Sequence, residues 1–548
     1  MNDKLLIIGG TITPYKNVQA EQDTMLREFL QPLQSGGADG ASAVDNHSVW
    51  LDRDGPYYPF KTKPIPQHRA SQDAVTGLAE LILQKEASEV GIPSDIFALS
   101  GVMNSRWQLI NPNIYDEYNL LAFSTTYLPS MLLVPVLGAL RIPRHVKVFV
   151  GGPGAAKVNH AALVAARFDY LLRTEAEGRF RELLQHARGG DVDLSTIPGL
   201  TWREGGELRR SPQITAHLNL NTLPLPDYTD MADLGGGRVV YESVRGCPYR
   251  CEFCDYPFLM GNKKFRYKGA ERIVTDWQSM HDTMGVRDIL CLDSLFTVPP
   301  KRLLEVCDRM IESGLSKKLR WGCYARPNDL ASLEIAERMR EAGCEYVYVG
   351  FESGSDEVLE FMNKKCKVEH SARAIENTRK VGMLTFGLFI SGFPGETPEM
   401  FAKTRQFLRD SPPTLVSMVP WFPDVSEDTR VPIMRPDRLE RFQIEVENPS
   451  RRKVTMWNHC SFRTPVSVPW GLYWKHCGMD LQEAVDNLST VVQDIYDQRI
   501  RAVSEELFFP RILDDVLNLY QRLGADGLVD FYLGLTTAVL SGDKGEGE

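Results

Sequence analysis

The sequence predicts an α/β protein of several domains: a doubly wound N-terminal domain, a central partial (β/α)6 barrel and a mainly helical C-terminal region. Through the first 190 residues, short apolar runs that end in glycine or hydroxylated residues alternate with helical stretches. A second series of such alternations begins near residue 239 and continues to about residue 420, a length that suits a barrel of parallel strands. The first series is typical of a Rossmann-like sheet.

The composition excludes several classes of protein. Hydrophobic residues make up 43% of the chain and charged residues 24%, as in folded globular proteins. The net charge of −10 disfavours a nucleic-acid-binding surface. The longest apolar run, residues 131–140, is too short for a bilayer span, and residues 1–10 lack a secretory cleavage site. Ten cysteines, three of them clustered, favour a metal site in a reducing compartment, so we expect a cytoplasmic protein without a membrane partner.

The N-terminal domain is assigned to residues 1–190. It opens with an all-apolar run, residues 5–10, that is typical of a strand buried on both faces. Residues 20–72 show no sustained period and are interpreted as an irregular insertion. Further elements are predicted in the segments 73–87 (helix), 96–99, 120–124, 146–150 and 170–172 (strands).

The strand ends of this domain are small or hydroxylated, which lets a large ligand approach the backbone. Ligands of doubly wound sheets bind at the carboxyl ends of the strands, so we expect a cofactor crevice there. Glycines also end strands in doubly wound folds that bind no cofactor, and this alternative stays open. The residues concerned are Gly9, Ser124, Thr125, Thr126, Gly151, Gly152, Pro153 and Gly154.

The remaining boundaries follow from shifts in composition. Residues 191–235, which include two consecutive glycines and a Leu-Pro-Leu-Pro-Asp run, are predicted to form a linker with hairpin character. The barrel is assigned to residues 236–425 and the C-terminal region to residues 426–548, with helices at 481–500 and 510–540. The acidic, glycine-rich segment 543–548 is predicted to be a disordered tail.

Three cysteines follow the first strand of the barrel at a spacing of C-x3-C-x2-C: Cys247, Cys251 and Cys254. Thiolates bind iron well, and three of them leave one iron of a 4Fe-4S cluster open. The alternative is structural zinc, which usually needs four ligands in paired knuckles, and no second pair follows. Barrel enzymes keep their chemistry at this edge of the sheet.

The cysteine segment resembles the cluster motif of the radical S-adenosylmethionine (SAM) superfamily, in which an aromatic residue, here Phe253, precedes the third cysteine. Segments similar to later strands of that family follow in order, at residues 293–297, 321–326, 350–355 and 387–397. The resemblance implies that the three cysteines ligate the cluster. The SAM contacts that it implies are Phe253, Arg326, Glu352, Ser353 and Gly392.

Chemistry supports two of these roles. A carboxylate and a hydroxyl at a strand end, Glu352 and Ser353, can bond ribose hydroxyls, and the Arg326 guanidinium can pair with the SAM carboxylate. Both Glu352 and Arg326 could instead belong to structural ion pairs.

Residues 1–190 resemble the cobalamin-binding domain that precedes the barrel in one branch of the superfamily. In that branch the loops at 121–127 and 150–154 flank the nucleotide tail of the cofactor. The resemblance implies that the small and hydroxylated strand ends named above bind cobalamin. The sequence contains no D-x-H-x-x-G motif, which supplies a cobalt-ligating histidine in many cobalamin proteins. The resemblance therefore implies that cobalamin binds without a protein histidine on cobalt. It also leaves open that cobalamin binding has been lost.

The implied function is methyl transfer from methylcobalamin, initiated by a 5'-deoxyadenosyl radical, to an unactivated carbon or phosphorus of a specialised metabolite or its carrier-bound precursor. An electron donor such as flavodoxin or ferredoxin is implied as a partner. Two alternatives remain open. One is a cobalamin-dependent rearrangement or cyclisation without methyl transfer, and the other is a non-catalytic iron–sulfur scaffold.

The C-terminal region repeats a Trp-x-His-Cys pattern at residues 457–460 and 474–477. A second metal site is one interpretation. Packing of Trp and His over the barrel mouth is favoured, because isolated His-Cys pairs lack knuckle spacing. The catalytic residues are unknown from the sequence, and the substrate-facing candidates are Tyr324, Trp421, Trp457 and His459.

Overall fold

The computed structural model divides the chain into two compact units, Met1–Ser211 and Pro212–Glu548. The structure describes residues 3–9, 77–98, 111, 113–125, 133, 136–138, 140–156, 158, 163–164, 166–212, 218–234, 237–259, 265–425, 429–448, 450–457, 465–469, 472–504, 520–524, 526–530 and 533. The predicted insertion at 20–72, the tail at 543–548, Thr126 and His459 lie outside these residues, as does most of the helix predicted at 510–540.

The first unit contains a seven-stranded sheet in the order β2-β1-β3-β4-β5-β6-β7. Its first five strands are parallel, which confirms the predicted doubly wound sheet. The strands are β1 (Leu5–Gly9), β2 (Ser94–Ala98), β3 (Leu120–Ser124), β4 (Lys147–Gly151), β5 (Tyr170–Leu172), β6 (Leu200–Glu204) and β7 (Glu207–Arg210). The helices are α1 (Leu78–Ser88), α2 (Ile114–Glu117), α3 (Pro153–Ala156) and α4 (Arg179–Ala187).

Alternate residues of each central strand enter different cores. Leu6 and Ile8 of β1 pack in one buried cluster, and Leu5 and Ile7 pack in another. This alternation explains the all-apolar strands, because a strand covered on both faces has no solvent side.

The sheet extends into the segment that we predicted to be a linker. The hairpin β6–β7 pairs antiparallel to β5 through Leu200 and Leu172. The hairpin character was visible in its two central glycines, Gly205 and Gly206, but the edge on which it pairs was not. The first compact unit accordingly runs to Ser211, beyond residue 190.

The second unit contains a sheet of seven parallel strands, and the first six lie in the order in which they occur along the chain, as a partial (β/α)6 barrel requires. These six strands are β8 (Arg238–Tyr241), β11 (Asp288–Cys291), β12 (Arg320–Ala325), β13 (Cys344–Glu352), β14 (Leu384–Ser391) and β15 (Leu415–Pro420), and a short pair, β9 (Val244–Arg245) and β10 (Arg266–Tyr267), follows β8. The helices are α5 (Thr229–Leu234), α6 (Tyr256–Leu259), α7 (Ala270–Met284), α8 (Pro300–Glu312), α9 (Pro327–Leu330), α10 (Leu333–Glu341), α11 (Asp356–Phe361), α12 (Val368–Lys380) and α13 (Pro398–Asp410).

The C-terminal region contains helices, as predicted, and also two pairs of antiparallel strands. Asp480 caps the longer helix by accepting the Glu483 amide at 3.0 Å, and the Glu483 carboxylate returns to the Asp480 amide at 2.8 Å. The elements are α14 (Pro436–Phe442), β16 (Glu445–Glu447), β17 (Lys453–Trp457), β18 (Pro465–Pro469), β19 (Tyr473–Lys475), α15 (Leu481–Tyr496) and β20 (Val503–Ser504), which joins the barrel sheet beside β15.

Within the part of the chain that the structure describes, no helix combines the length and apolarity that crossing a bilayer requires.

Candidate cluster and cofactor site

The three clustered cysteines lie in the loop between β9 and α6, beyond the carboxyl end of the first barrel strand. All three are free thiols; Cys251 is buried, and the other two are partly exposed. Burial, with smaller contributions from the neighbouring Cys251 and Cys247, raises the pKa of Cys254 to about 12. Three soft donors in one loop, without a disulfide, fit the ligand set of a 4Fe-4S cluster.

A buried carboxylate at the end of the next strand holds the start of this loop. The Asp293 carboxylate accepts the backbone amides of Ser243 and Val244 at 2.6 and 2.8 Å, and it also accepts the Ser243 hydroxyl. The Ser294 hydroxyl donates to the Gly246 carbonyl at 2.7 Å. The residues that follow β11 therefore fix the backbone immediately before Cys247.

A fourth thiol lies near the loop, which the sequence spacing did not indicate. Cys366 is partly exposed, and burial raises its pKa to about 11, with a smaller electrostatic contribution from Cys251. Among the described residues, no three His, Cys, Asp or Glu side chains converge on one metal-ion position. A cluster places its thiolates on separate irons, so it needs no such convergence.

Arg326, predicted to bind the SAM carboxylate, lies beside the cysteine loop at the end of β12. Its guanidinium carbon lies 3.7 Å from the centre of the Tyr249 ring, and it donates to the Lys364 carbonyl. The residue is only 3% exposed, and its Nε has no hydrogen-bond partner in the described structure. A buried guanidinium N–H without an acceptor can receive a ligand carboxylate.

Glu352, predicted to bond the ribose, ends β13 with a φ of 65°. Non-glycine residues rarely adopt this conformation, which occurs often at functional sites. Its Oε1 accepts from the Lys364 ammonium at 2.5 Å, and both side chains are buried. Burial lowers the pKa of Lys364, but the Glu352 carboxylate reverses that effect and leaves the pKa above its usual value. Lys364 was not anticipated from the sequence.

Ser353 and Phe253, two further predicted SAM contacts, lie on the same two loops. The Ser353 hydroxyl lies 3.1 Å from Thr404 Oγ1 and accepts the Ser355 amide at 3.1 Å, so it is engaged inside the loop. The Phe253 ring lies 5.8 Å from the Lys364 ammonium. The buried cation thus faces both the cysteine loop and the loop that follows β13.

Gly392, the last predicted SAM contact, lies at a tightly packed turn after β14. A Cβ on Gly392 would lie 2.5 Å from the Trp474 ring, and its φ of 75° favours glycine. Its amide donates to the Glu396 carboxylate at 2.6 Å, and its carbonyl lies 3.1 Å from His476 Nε2. Burial raises the pKa of Glu396 to about 7.

His476, from the second Trp-x-His-Cys segment, packs inside this turn. Its ring stacks on Trp474 with the ring centres 5.4 Å apart, and its Nδ1 accepts the Gly478 amide at 3.0 Å. Burial lowers the pKa of His476 to about 4, so the ring is neutral near pH 7. The favoured packing interpretation matches this arrangement for the second segment. The first segment lies largely outside the described residues.

The structure describes the side chains of two of the four predicted substrate-facing residues, Trp421 and Tyr324. Trp421 is 2% exposed and packs against Trp474 with ring centres 5.2 Å apart, in an apolar cluster. Tyr324 stacks on Tyr348 at 5.0 Å along neighbouring strands. The side chain of Trp457 is not among those that the structure describes.

In the first unit, the structure brings the predicted strand-end residues to one edge of the sheet. The Thr125 hydroxyl donates to the Gly151 carbonyl at 2.7 Å and accepts the Ala155 amide at 2.9 Å, which ties the end of β3 to the loop after β4. Gly152 has a φ of 101°, which favours glycine. A buried carboxylate, Glu80, lies against Gly9 at the same edge and was not anticipated.

Part of the second unit matches a known protein family. Residues 241–408 match the profile of the Radical SAM superfamily. An uncharacterised methyltransferase of Pyrococcus horikoshii is 31% identical over 50% of this chain and 59% of its own length. An anaerobic magnesium-protoporphyrin IX monomethyl ester cyclase of Cereibacter sphaeroides is 27% identical over 38% of this chain and 37% of its own length. The chain thus spans 59% or less of these relatives.

Among solved structures, the radical SAM methyltransferase TsrM from Kitasatospora setae, determined with cobalamin and a [4Fe-4S] cluster, superposes with a TM-score of 0.53 at 17% identity. The match covers 77% of this chain and 75% of that one, and it shows a shared fold. The matched profile includes the cysteine loop and the strands that carry Arg326 and Glu352. Residues 241–408 are therefore similar to the Radical SAM superfamily, and the chain shares the fold of that methyltransferase.

Proposed function

We propose that the protein is a cobalamin-dependent radical SAM methyltransferase that modifies an unactivated carbon, or phosphorus, of a specialised metabolite. The observation that carries the proposal is the loop of three free cysteines, held by Asp293 at the carboxyl end of the first barrel strand. The methyltransferase names of two similar proteins support methyl transfer. When bound, the cluster supplies the electron that cleaves SAM, and cobalamin supplies the methyl group.

The residues of the barrel would bind and orient SAM. The Arg326 guanidinium, with its unpartnered Nε, is suited to the SAM carboxylate. Glu352 is suited to the ribose hydroxyls, since one of its oxygens pairs with Lys364 and a carboxylate accepts several hydrogen bonds. Ser353, Phe253 and Gly392 shape the surrounding loops.

The residues of the first unit would hold cobalamin. The strand ends at Gly9, Ser124 and Thr125 and the loop at 151–154 present little side-chain bulk at one edge of the sheet. A large planar ligand can approach backbone there, and the buried Glu80 offers a polar group to it. These residues fit a corrinoid on steric and polar grounds.

We also propose that the protein acts in the cytoplasm with an electron donor and a small-molecule substrate. A one-electron donor such as flavodoxin or ferredoxin would reduce the cluster, and the substrate would be a small molecule, free or carrier-bound. A cluster with an open iron persists best in the reducing cytoplasm.

A cyclase or rearrangement enzyme is the second candidate function, because one similar protein carries that name. The two functions differ in the fate of SAM. Anaerobically reconstituted protein with hydroxocobalamin, reductant and methyl-labelled SAM should form S-adenosylhomocysteine and transfer the label to the corrinoid. Formation of 5'-deoxyadenosine without S-adenosylhomocysteine would contradict the methyltransferase proposal and favour the cyclase type.

A further inference from the structure

Glu80, in the first turn of α1, is a buried acid. It is 2% exposed, and neither carboxylate oxygen has a hydrogen-bond partner in the described structure. The carboxylate lies against two glycines: a Cβ on Gly9 would lie 2.8 Å from its Oε1, and one on Gly77 would lie 2.2 Å from its Oε2. Two flanking positions without side chains leave the space that this carboxyl fills.

A second buried glutamate on the same helix shows how unusual this is. The Glu86 carboxylate accepts the Gly178 amide at 2.9 Å and two N–H groups of Arg181, each at 3.2 Å. Buried carboxyl groups are normally satisfied in this way, because an unmade hydrogen bond in the interior is costly. The helix therefore carries one satisfied and one unsatisfied buried acid.

The position of Glu80 in the fold points to a ligand. The sheet order β2-β1-β3 reverses direction between β1 and β3, and ligands of such sheets bind at this switch point, beyond the carboxyl ends of the strands. Gly9 ends β1 and Ser124 ends β3. Burial raises the pKa of Glu80, whereas the Ser124 hydroxyl, which lies beside the carboxyl, lowers it.

We propose that Glu80 is a corrinoid-binding residue whose carboxyl group hydrogen-bonds to primary carboxamides at the edge of the ligand. The inference rests on the proposed cobalamin binding and adds a residue to it. A carboxamide offers both a donor and an acceptor, so it satisfies a carboxyl group that the protein leaves unsatisfied. The competing role is structural: Glu80 is the third residue of α1, from which a glutamate can cap the helix.

The two roles predict opposite effects of an apolar replacement. If the carboxyl group forms its hydrogen bonds only with a bound ligand, Glu80→Met removes an unsatisfied buried group from the ligand-free protein. The thermal midpoint of the ligand-free variant is then equal to or higher than that of the wild type. If the carboxyl caps α1, the same variant melts lower. The matched control is Glu86→Met, which removes a satisfied carboxyl from the same helix and should lower the thermal midpoint without changing the Kd for the corrinoid more than twofold.

The experiment is an anaerobic titration of the full-length protein with hydroxocobalamin, followed by absorbance, alongside thermal unfolding without ligand. We expect Glu80→Met to raise the Kd for hydroxocobalamin about tenfold, because one hydrogen bond to the ligand is lost. The thermal midpoint of the ligand-free variant should not fall. Glu80→Gln, which keeps a donor and an acceptor, should stay within about threefold of the wild type.

Three outcomes would overturn the inference while leaving the proposed function intact. They are a Glu80→Met Kd within twofold of the wild type, a Glu80→Gln loss as large as that of Glu80→Met, and a Glu80→Met protein that melts lower or fails to fold. A wild-type protein that does not bind hydroxocobalamin would instead contradict the proposed function, and the role of Glu80 with it.

Discussion

The Glu352 carboxylate and the Lys364 ammonium form a buried ion pair, 2.5 Å apart, at the carboxyl end of β13. Glu352 reaches this position through a strained backbone, with a φ of 65°. Lys364 arrives from the loop after α11, whose Met362 carbonyl accepts the Glu252 amide of the cysteine loop at 2.9 Å. The pair therefore links a predicted SAM-binding strand end to the predicted cluster loop.

Replacement of Lys364 by Met should destabilise the protein by about 3 kcal/mol, because it leaves the buried Glu352 carboxylate without its cation. The double variant Lys364→Met/Glu352→Gln, which removes both charges, should recover much of that loss. The free energy of unfolding in urea, measured for the wild type and for the two variants, tests both expectations. Equal stability of the single variant and the wild type would show that the pair is not a buried ion pair in solution.

Replacement of Asp293 by Asn should reduce the iron content after reconstitution, because an amide cannot accept the two backbone amides and the Ser243 hydroxyl as a carboxylate does. The control is Asp276→Asn. Asp276 is a buried acid on α7 that accepts the Tyr241 hydroxyl at 2.6 Å and the Lys268 ammonium at 3.2 Å, so these hydrogen bonds are to side chains and not to the backbone of Ser243 or Val244. The Asp276→Asn variant should be less stable than the wild type but should bind as much iron. Loss of iron from both variants would contradict a specific role of Asp293 in positioning the cysteine loop.

Replacement of Cys366 by Ala should leave the iron content at about four per chain, since the cluster is expected to use three thiolates and keep one iron open. Ala at Cys247, Cys251 or Cys254 should each abolish the cluster. Iron and sulfide analysis after anaerobic reconstitution gives the answer. A cluster that is lost in the Cys366 variant would mean four protein ligands and no open iron for SAM.

Stability should fall as the pH drops from about 6.5 to about 4, because of His476. The folded ring resists protonation, since its Nδ1 accepts backbone amides and the ring is buried. The unfolded chain takes up the proton first below pH 6.5, and the difference grows until the folded ring titrates near pH 4. The total is on the order of 3 kcal/mol.

His476→Gln removes this titration. The free energy of unfolding, measured between pH 4 and pH 8, should therefore decline less steeply in the variant than in the wild type. Parallel pH profiles for the two proteins would show that the folded ring is protonated as readily as the unfolded one.

What could be predicted from the sequence is local. Cys247, Cys251 and Cys254 lie within eight residues, so the cluster motif could be recognised from the sequence. The all-apolar strand of residues 5–9 indicates burial on both faces of the sheet, so its place in the sheet could also be predicted. The partners of the site come from distant segments. Asp293 reaches Ser243 across 50 residues and His476 reaches Gly392 across 84, and no periodicity links such positions.

The burial of two further side chains, Glu80 and Trp421, could not be predicted from the local sequence. Glu80 lies on a helix that also carries more exposed polar residues, and its burial against Gly9 and Gly77 depends on segments distant from or outside the helix. Trp421, which we predicted to face the substrate, is buried against Trp474 in an apolar cluster. Burial of a large side chain depends on what packs over it, which the local sequence does not specify.

The most direct test of the account is anaerobic reconstitution of the full-length protein with iron, sulfide and hydroxocobalamin, followed by metal and corrin quantitation after gel filtration. We expect about four irons and one tightly bound cobalamin per chain. A cluster without bound cobalamin would contradict it, since methyl transfer through a corrinoid would then be impossible.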